Sequence, residues 1–243
     1  MKTLQLSNEA YAKVQRLLKQ GGNSALVEAV EKELSSLPQS SQKGIYVIDE
    51  NPALDRASRT QQNWIPYFNE QGELMIAPEN ILESKGNARA SLQKDCREHL
   101  VVTGTGIDYI SNSLEGTIAF NRGSKVVPET HSGKIVIPVF TGTPLPEALK
   151  SKEGLRYHVL LFNERFTTEK KLTDALADFS GRKPEDIYTY TPDQGRRNRY
   201  PKRAVGFNVN SGWFHVVGYC IFGVSCGLSR GVRLNSEPKA RTK

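Results

Sequence analysis

The order of strand-like and helix-like segments is the feature that most constrains the fold of this chain. Apolar residues follow the short period of β-strands over residues 100–140, the helical period over residues 144–179, and the strand pattern again over residues 187–222. Strands in a row, then helices, then further strands are typical of an α+β domain and not of a regularly alternating α/β fold. We therefore predict an α+β fold with a mainly antiparallel sheet and two or three helices, plus a small N-terminal strand-helix-helix unit.

The clearest local prediction is a β-hairpin. Residues 204–209 and 213–222 are rich in β-formers, and the short polar loop Asn210-Ser211-Gly212 joins them. Helices are predicted over about 87–98, 144–163 and 168–179, and a break of the second helix at Gly154 is the alternative. Residues 49–66 are predicted to be mostly loop.

The string Thr103-Gly104-Thr105-Gly106 follows an apolar strand and could be taken for a phosphate-binding loop. It lacks the third glycine of a dinucleotide fingerprint, and no Lys-Ser/Thr pair follows it. We interpret it as a turn between two strands.

Four segments make up the predicted domain organisation. The polar, turn-rich stretch Pro-Gln-Ser-Ser-Gln-Lys-Gly is typical of a linker, and the last nine residues are polar and basic. The segments are a strand-helix-helix unit at 1–37, a linker at 38–44, an α+β domain at 45–234 and a flexible basic tail at 235–243.

The first 37 residues carry a compact pattern. Residues 2–6 alternate polar and apolar, Ser7 offers a helix N-cap, Gly21-Gly22 ends that helix, and Asn23 offers the cap of a second helix. This order resembles the ribbon-helix-helix family, in which the strands of two chains pair into a ribbon that enters the DNA major groove.

The resemblance implies a homodimer in which Leu4 and Leu6 face the dimer core and Thr3 and Gln5 face bases. It also implies that the turn around Asn23 presents backbone N–H groups to a phosphate. The alternative is a helical hairpin that packs on the main domain, with residues 2–6 as an edge strand.

Charge is distributed very unevenly along the chain. Residues 1–195 contain 23 basic and 25 acidic side chains, whereas residues 196–243 contain 10 basic and 1 acidic. A segment of this kind favours a polyanionic partner, because neutralising phosphates releases their counterions. A solubilising surface with a mobile basic tail is the alternative interpretation.

The candidate contact residues lie in this basic segment. Within residues 194–203 an exposed loop is predicted, in which arginines bind phosphate in a forked geometry and a tyrosine stacks on an unpaired base. The predicted contact residues are Arg196, Arg197, Arg199, Tyr200, Lys202 and Arg203, with Arg230 and Arg233 on the same face.

No catalytic or metal-binding pattern accompanies the basic segment. The three cysteines form no Cys-x-x-Cys pair, and the four histidines have no metal-ligand neighbours at i+2 or i+4, so we predict no metal site and no cofactor. No apolar run approaches the length of a membrane span, and no signal peptide pattern is present, so we expect a cytoplasmic protein without a membrane partner.

These observations favour a non-catalytic nucleic-acid-binding protein, with DNA favoured over RNA, that uses the basic segment and the C-terminal residues. Two alternatives remain open. One is an enzyme that acts on nucleic acid or a phosphorylated substrate through an unrecognised site. The other is a protein-interaction module that contacts an acidic partner.

Overall fold

The computed structural model describes residues 46–48, 59–120, 129–221 and 227–234. By its contacts the chain divides into two units, Met1–Gly44 and Ile45–Lys243. The ribbon-helix-helix prediction, with Thr3, Gln5 and Asn23, lies outside the described residues, as do the predicted linker at 38–44 and tail at 235–243. The elements below all belong to the second unit.

Seven α-helices occur in the described residues. They are α1 (Gln61–Glu70), α2 (Pro78–Glu83), α3 (Gly86–Glu98), α4 (Leu145–Leu149), α5 (Lys152–Leu161), α6 (Glu169–Ser180) and α7 (Gln194–Arg199). None of these described helices is long and apolar enough to cross a membrane.

The described strands number eleven. They are β1 (Tyr46–Ile48), β2 (Leu74–Met75), β3 (Val101–Tyr109), β4 (Glu115–Phe120), β5 (Thr130–His131), β6 (Ile135–Val136), β7 (Thr141–Pro144), β8 (Ile187–Tyr190), β9 (Lys202–Asn210), β10 (Trp213–Ile221) and β11 (Gly231–Leu234).

Most of these strands join one large sheet. Its order is β5-β4-β3-β9-β10-β8-β7, with β6 paired to β4, and a smaller sheet has the order β1-β11-β2. Pairs are antiparallel except β8 with β10, which run parallel. The predicted α+β class is therefore confirmed.

The hairpin of β9 and β10 lies at the centre of the large sheet. Asn210 pairs with Trp213 across the turn, and Ser211 and Gly212 have φ values of 51° and 86°. These left-handed values are those that a two-residue hairpin turn requires, and glycine supplies one of them without strain.

The large sheet is covered on its two faces by different helices. One face packs against α3, α4, α5 and α6 through a core that includes Leu92, Leu149, Leu161, Leu176, Phe179, Val205, Phe207, Phe214 and Val216. On the other face α1 places Trp64, Ile65 and Phe68 against Val102, Ala204 and Val217.

The Thr-Gly-Thr-Gly string does not form the predicted turn, because it lies within the continuous strand β3. The β3–β9 register shifts between Val102 and Gly106, so the string forms a bulge. The buried side chain of Gln61 donates to the carbonyls of Thr103 and Thr105 at 2.6 and 3.0 Å. A helix from outside the sheet thus satisfies backbone groups that the bulge removes from the ladder.

The helices also differ from the prediction in number and boundaries. Residues 61–66 are helical and not loop, because Thr60 caps α1 by accepting from the N–H of Asn63. The predicted helix at 144–163 is split into α4 and α5, because the Ser151 hydroxyl accepts from the N–H of Gly154 and starts a new helix. Helix α1, the division of one predicted helix into two, and the six-residue helices α2 and α7 account for the excess over the two or three expected.

Candidate nucleic-acid interface

The basic segment begins with a helix where a loop was predicted. The side chain of Asp193 caps α7 by accepting from the N–H of Arg196 at 2.9 Å. Arg196, Arg197 and Arg199 then occupy the last turn, where positive charge is favourable because it opposes the negative end of the helix dipole.

A pair of asparagines attaches α7 to the loop between β3 and β4. Asn198 accepts from the N–H of Asn112 at 2.7 Å and donates its amide to the Asn112 side chain at 2.8 Å. Asn112 has a φ of 57°, a left-handed conformation that asparagine tolerates better than most residues. The helix is therefore held at its start and near its end.

Arg197 is fully buried and does not belong to the exposed surface, contrary to its predicted role. Its guanidinium group donates to the carbonyls of Pro192, Ile137 and Pro138 at 2.8, 2.8 and 3.0 Å. It also lies 4.6 Å from the ring centre of Tyr109. Burial lowers the pKa of Arg197. Its N–H donors bond loop carbonyls.

Arg203 is likewise buried and joins α7 to the sheet. Its two terminal nitrogens donate to the carbonyls of Arg196 and Tyr219 at 2.8 and 2.9 Å. Its guanidinium group lies 5.5 Å from the ring centre of Tyr200. Burial lowers the pKa of Arg203, and its geometry indicates a structural connection.

Arg230 is the third buried arginine of the predicted set. It donates to Asp95 at 2.6 Å and to the Ser91 hydroxyl at 2.5 Å, both on α3. Arg233 lies in β11, where its Cα pairs with Val47, and its side chain is outside the described residues. The structure therefore places Arg230 in an interior ion pair.

Four of the predicted contact residues are exposed and lie close together in the chain. Arg196 approaches Asp193 at 3.3 Å, Arg199 lies 5.3 Å from the ring of Tyr200, and Lys202 is opposite Asp108 in the β3–β9 register. We call Arg196, Arg199, Tyr200 and Lys202 the α7 surface.

The sequence interpretation missed the residues that position this surface. Asp193 three residues before Arg196 is an N-cap pattern, so a local signal for the helix was present. No comparable signal marks Asn112, because its contact with Asn198 spans 86 positions. The burial of Arg197 also depends on carbonyls that come from a distant part of the chain.

The two described cysteines and His158 are buried. Cys96 and Cys220 are buried free thiols, and burial raises the pKa of the Cys96 thiol. The imidazole of His158 bonds the Gly154 carbonyl and the Thr189 hydroxyl, and burial lowers the pKa of His158 to about 4. Within the described ranges no three His, Cys, Asp or Glu side chains are grouped to hold a metal ion.

A small pocket lies between α3 and α6. Gln93, Cys96, Arg97, Phe179 and Phe214 contribute to its lining, and its volume is about 20 Å³. That is close to the room that one water molecule needs, so a substrate of ordinary size does not fit there.

Comparison with known proteins finds no match, since no protein family, no curated protein and no solved structure matches this chain. The geometry of the described residues is therefore the basis for a functional assignment.

Proposed function

We propose that this protein binds nucleic acid without catalysis and that the α7 surface contacts the phosphate backbone. The observation that carries the proposal is the division of roles among neighbouring arginines. Arg197 and Arg203 are buried and hold the helix, while Arg196, Arg199 and Lys202 are exposed. Exposed cations on a rigid support meet an anionic backbone with little loss of conformational freedom.

The chemistry of the exposed side chains fits this partner. Arginine binds a phosphate through two parallel hydrogen bonds, and Tyr200 beside Arg199 offers a flat face for a base. The C-terminal residues Lys239, Arg241 and Lys243 add positive charge along the chain. Because three of the ten basic side chains in residues 196–243 are buried, fewer phosphate contacts are expected than the sequence alone suggests.

The test is the salt dependence of binding, measured by fluorescence anisotropy with a labelled oligonucleotide between 50 and 300 mM NaCl. The double variant Arg196→Ala/Arg199→Ala should lower the slope of log K against log salt by about 1.4 on a single strand, or about 1.8 on a duplex. The reason is that a variant with fewer phosphate contacts releases fewer counterions when it binds.

A charge-matched control is available on α6, where Lys170 and Lys171 are exposed. The double variant Lys170→Ala/Lys171→Ala removes the same charge and should leave the slope unchanged. Equal effects of the two double variants, or no binding at 50 mM salt, would contradict the proposal.

We also propose that residues 1–37 pair two chains, as the ribbon-helix-helix resemblance implies. Light scattering after size exclusion measures this directly. A mass near twice 27.1 kDa supports pairing, and a mass near 27.1 kDa rules it out.

A further inference from the structure

Strand alternation places a second set of side chains on one face of the large sheet. In β10, Phe214 and Val216 point into the core beneath α6, so Trp213 and His215 lie on the opposite face. In β8, Ile187 faces the core, and Tyr188 and Tyr190 share the face of His215.

Parallel pairing of β8 with β10 brings these side chains into one continuous series. Ring centres are 5.1 Å apart for Trp213 and Tyr188, 6.3 Å for Tyr188 and His215, 5.1 Å for His215 and Tyr190, and 6.1 Å for Tyr190 and Tyr219. We call these five residues the aromatic row.

The residues at both ends of the aromatic row are exposed to solvent. Trp213 is 45% exposed and Tyr219 is 44% exposed, whereas the side chains that α1 covers on the same sheet face, Val102 and Val217, are fully buried. Tyr188 and Tyr190, which lie between Trp213 and Tyr219 in the row, are half-buried. Large aromatic side chains normally contribute most when they are removed from water, so exposed rings at both ends of the row are typical of a binding surface.

Two polar atoms without hydrogen-bond partners lie in the aromatic row or directly beside it. His215 is only 8% exposed, its Nε2 atom has no hydrogen-bond partner, and its ring lies between those of Tyr188 and Tyr190. Directly opposite in the β9–β10 register, the Oδ1 atom of Asn208 is buried and also has no partner. Native proteins satisfy nearly all such groups, so the pair points to a ligand that supplies a hydrogen-bonding edge.

One end of the aromatic row lies towards Lys202 of the α7 surface. The guanidinium group of Arg203 bonds the carbonyl of Tyr219 on one side and that of Arg196 on the other. In β9, Arg203 lies on the core face with Val205, whereas Lys202 shares the face of Ala204, which is the face of the aromatic row. Lys202 also lies at the end of β9 that is nearer to Tyr219 in the register. A ligand that covers the rings can therefore extend towards Lys202. This combination fits flat, unpaired rings that have polar edges and are linked by negatively charged groups.

We propose that the aromatic row binds the unpaired bases of single-stranded nucleic acid, with the sugar-phosphate backbone continuing towards Lys202 of the α7 surface. The inference rests on the proposed function and narrows it from nucleic acid in general to single strands. In a duplex both faces of each base are already stacked, so only a single strand can place its bases on Trp213 and Tyr188.

The experiment compares a labelled 12-nucleotide single strand with the duplex of the same sequence. Trp213→Ala and Tyr188→Ala should each weaken single-strand binding by about 5- to 100-fold, as expected for the loss of one stacked base. Trp213→Phe should retain most of the affinity, because it keeps a ring. The slope against salt should stay unchanged in all three variants, because no phosphate contact is removed.

An exposed apolar position outside the aromatic row provides the control. Val139 is 40% exposed, and Val139→Ala should leave both affinities unchanged. Thermal melting of each variant shows whether the fold is retained. Tryptophan fluorescence reports directly on the row, since of the two tryptophans Trp64 is fully buried and Trp213 is exposed.

The outcomes separate this inference from the proposed function. One outcome overturns the inference and leaves the proposed function intact. In that outcome binding depends on Arg196 and Arg199, is equal for duplex and single strand, and does not change in Trp213→Ala. No binding to either nucleic acid at 50 mM salt overturns both. If Trp213 fluorescence then responds to soluble oligosaccharides, the row binds sugar rings and its assignment to bases is wrong.

Discussion

Neighbouring residues of the same type have opposite roles in α7. Arg196 is exposed and approaches Asp193, whereas Arg197 is buried among the carbonyls of Pro192, Ile137 and Pro138. One residue turns a side chain by about 100° around a helix, so adjacent positions face different surroundings. A cluster of arginines in a sequence is therefore not a single surface.

Replacing Arg197 should destabilise the fold strongly. Arg197→Ala leaves several buried carbonyls without donors and should lower the free energy of unfolding by about 3 to 5 kcal/mol. Arg197→Lys should recover only part of this, because an ammonium group cannot reproduce the forked geometry. Urea denaturation measures the loss. Arg196→Ala is the adjacent control and should change stability by less than about 0.5 kcal/mol.

Burial of His158 should make stability depend on pH. The unfolded chain takes up a proton near pH 6.5, whereas the folded pKa is lowered to about 4, so the unfolded state binds more protons between these values. Stability from this group is complete above pH 6.5 and decreases as pH falls towards 4, by about 3 kcal/mol in total.

The pH effect of His158 must be separated from that of Glu79. Burial raises the pKa of Glu79 to about 7, so this group changes stability in the opposite direction over an overlapping range. The stability difference between wild type and His158→Gln cancels the Glu79 contribution. When the pH is lowered from 7.5 to 4, the wild type should lose about 3 kcal/mol of stability relative to His158→Gln. A constant difference would show that His158 is not the titrating group.

At the scale of elements, β3 depends on a helix that precedes it by some forty residues. The bulge around Gly104 breaks the ladder with β9, and Gln61 at the start of α1 bonds the buried carbonyls of Thr103 and Thr105. The N–H of Gly104 bonds the Ile76 carbonyl at 2.8 Å. The strand and its covering elements therefore stabilise each other.

Gln61→Leu tests this dependence. It keeps the size of the side chain but removes the donor, so two buried carbonyls lose a partner and stability should fall by about 2 to 4 kcal/mol. Gln62 is the neighbouring, exposed residue on the same helix. Gln62→Leu should change the denaturation midpoint little, and equal losses in the two variants would contradict the role of Gln61.

At the scale of the whole second unit, one buried ion pair joins the small sheet to a helix on the large one. Arg230 immediately precedes β11 and bonds Asp95 on α3 at 2.6 Å, and its backbone carbonyl accepts from the N–H of Ile76. The connection explains why an arginine near the C-terminus is unavailable for phosphate.

Removing one member of this ion pair should lower stability more than replacing both members with apolar residues. Asp95→Ala or Arg230→Ala leaves one buried charge and should lower stability by about 3 to 5 kcal/mol. The apolar double variant Asp95→Leu/Arg230→Met should lose less than either single variant, since it leaves no unpaired charge inside. Additive losses in a double-mutant cycle would show that the two side chains are not coupled.

Much of the secondary structure could be predicted because it depends on local patterns. The β9–β10 hairpin follows from β-formers on either side of Asn210-Ser211-Gly212, and α6 follows from the Thr168 cap and the apolar face that includes Leu172 and Leu176. Short elements such as α2 and α7 were missed because their few residues provide too little periodicity.

By itself, therefore, the sequence determined the α+β class, the central hairpin and the concentration of positive charge after residue 195. Only the tertiary structure decided which cations are exposed and that rings from β8 and β10 form a row. The physical reason is that periodicity, capping and net charge are properties of neighbouring residues. Burial of Arg197 and the contact of Tyr188 with Trp213 depend instead on groups that folding brings from distant parts of the chain.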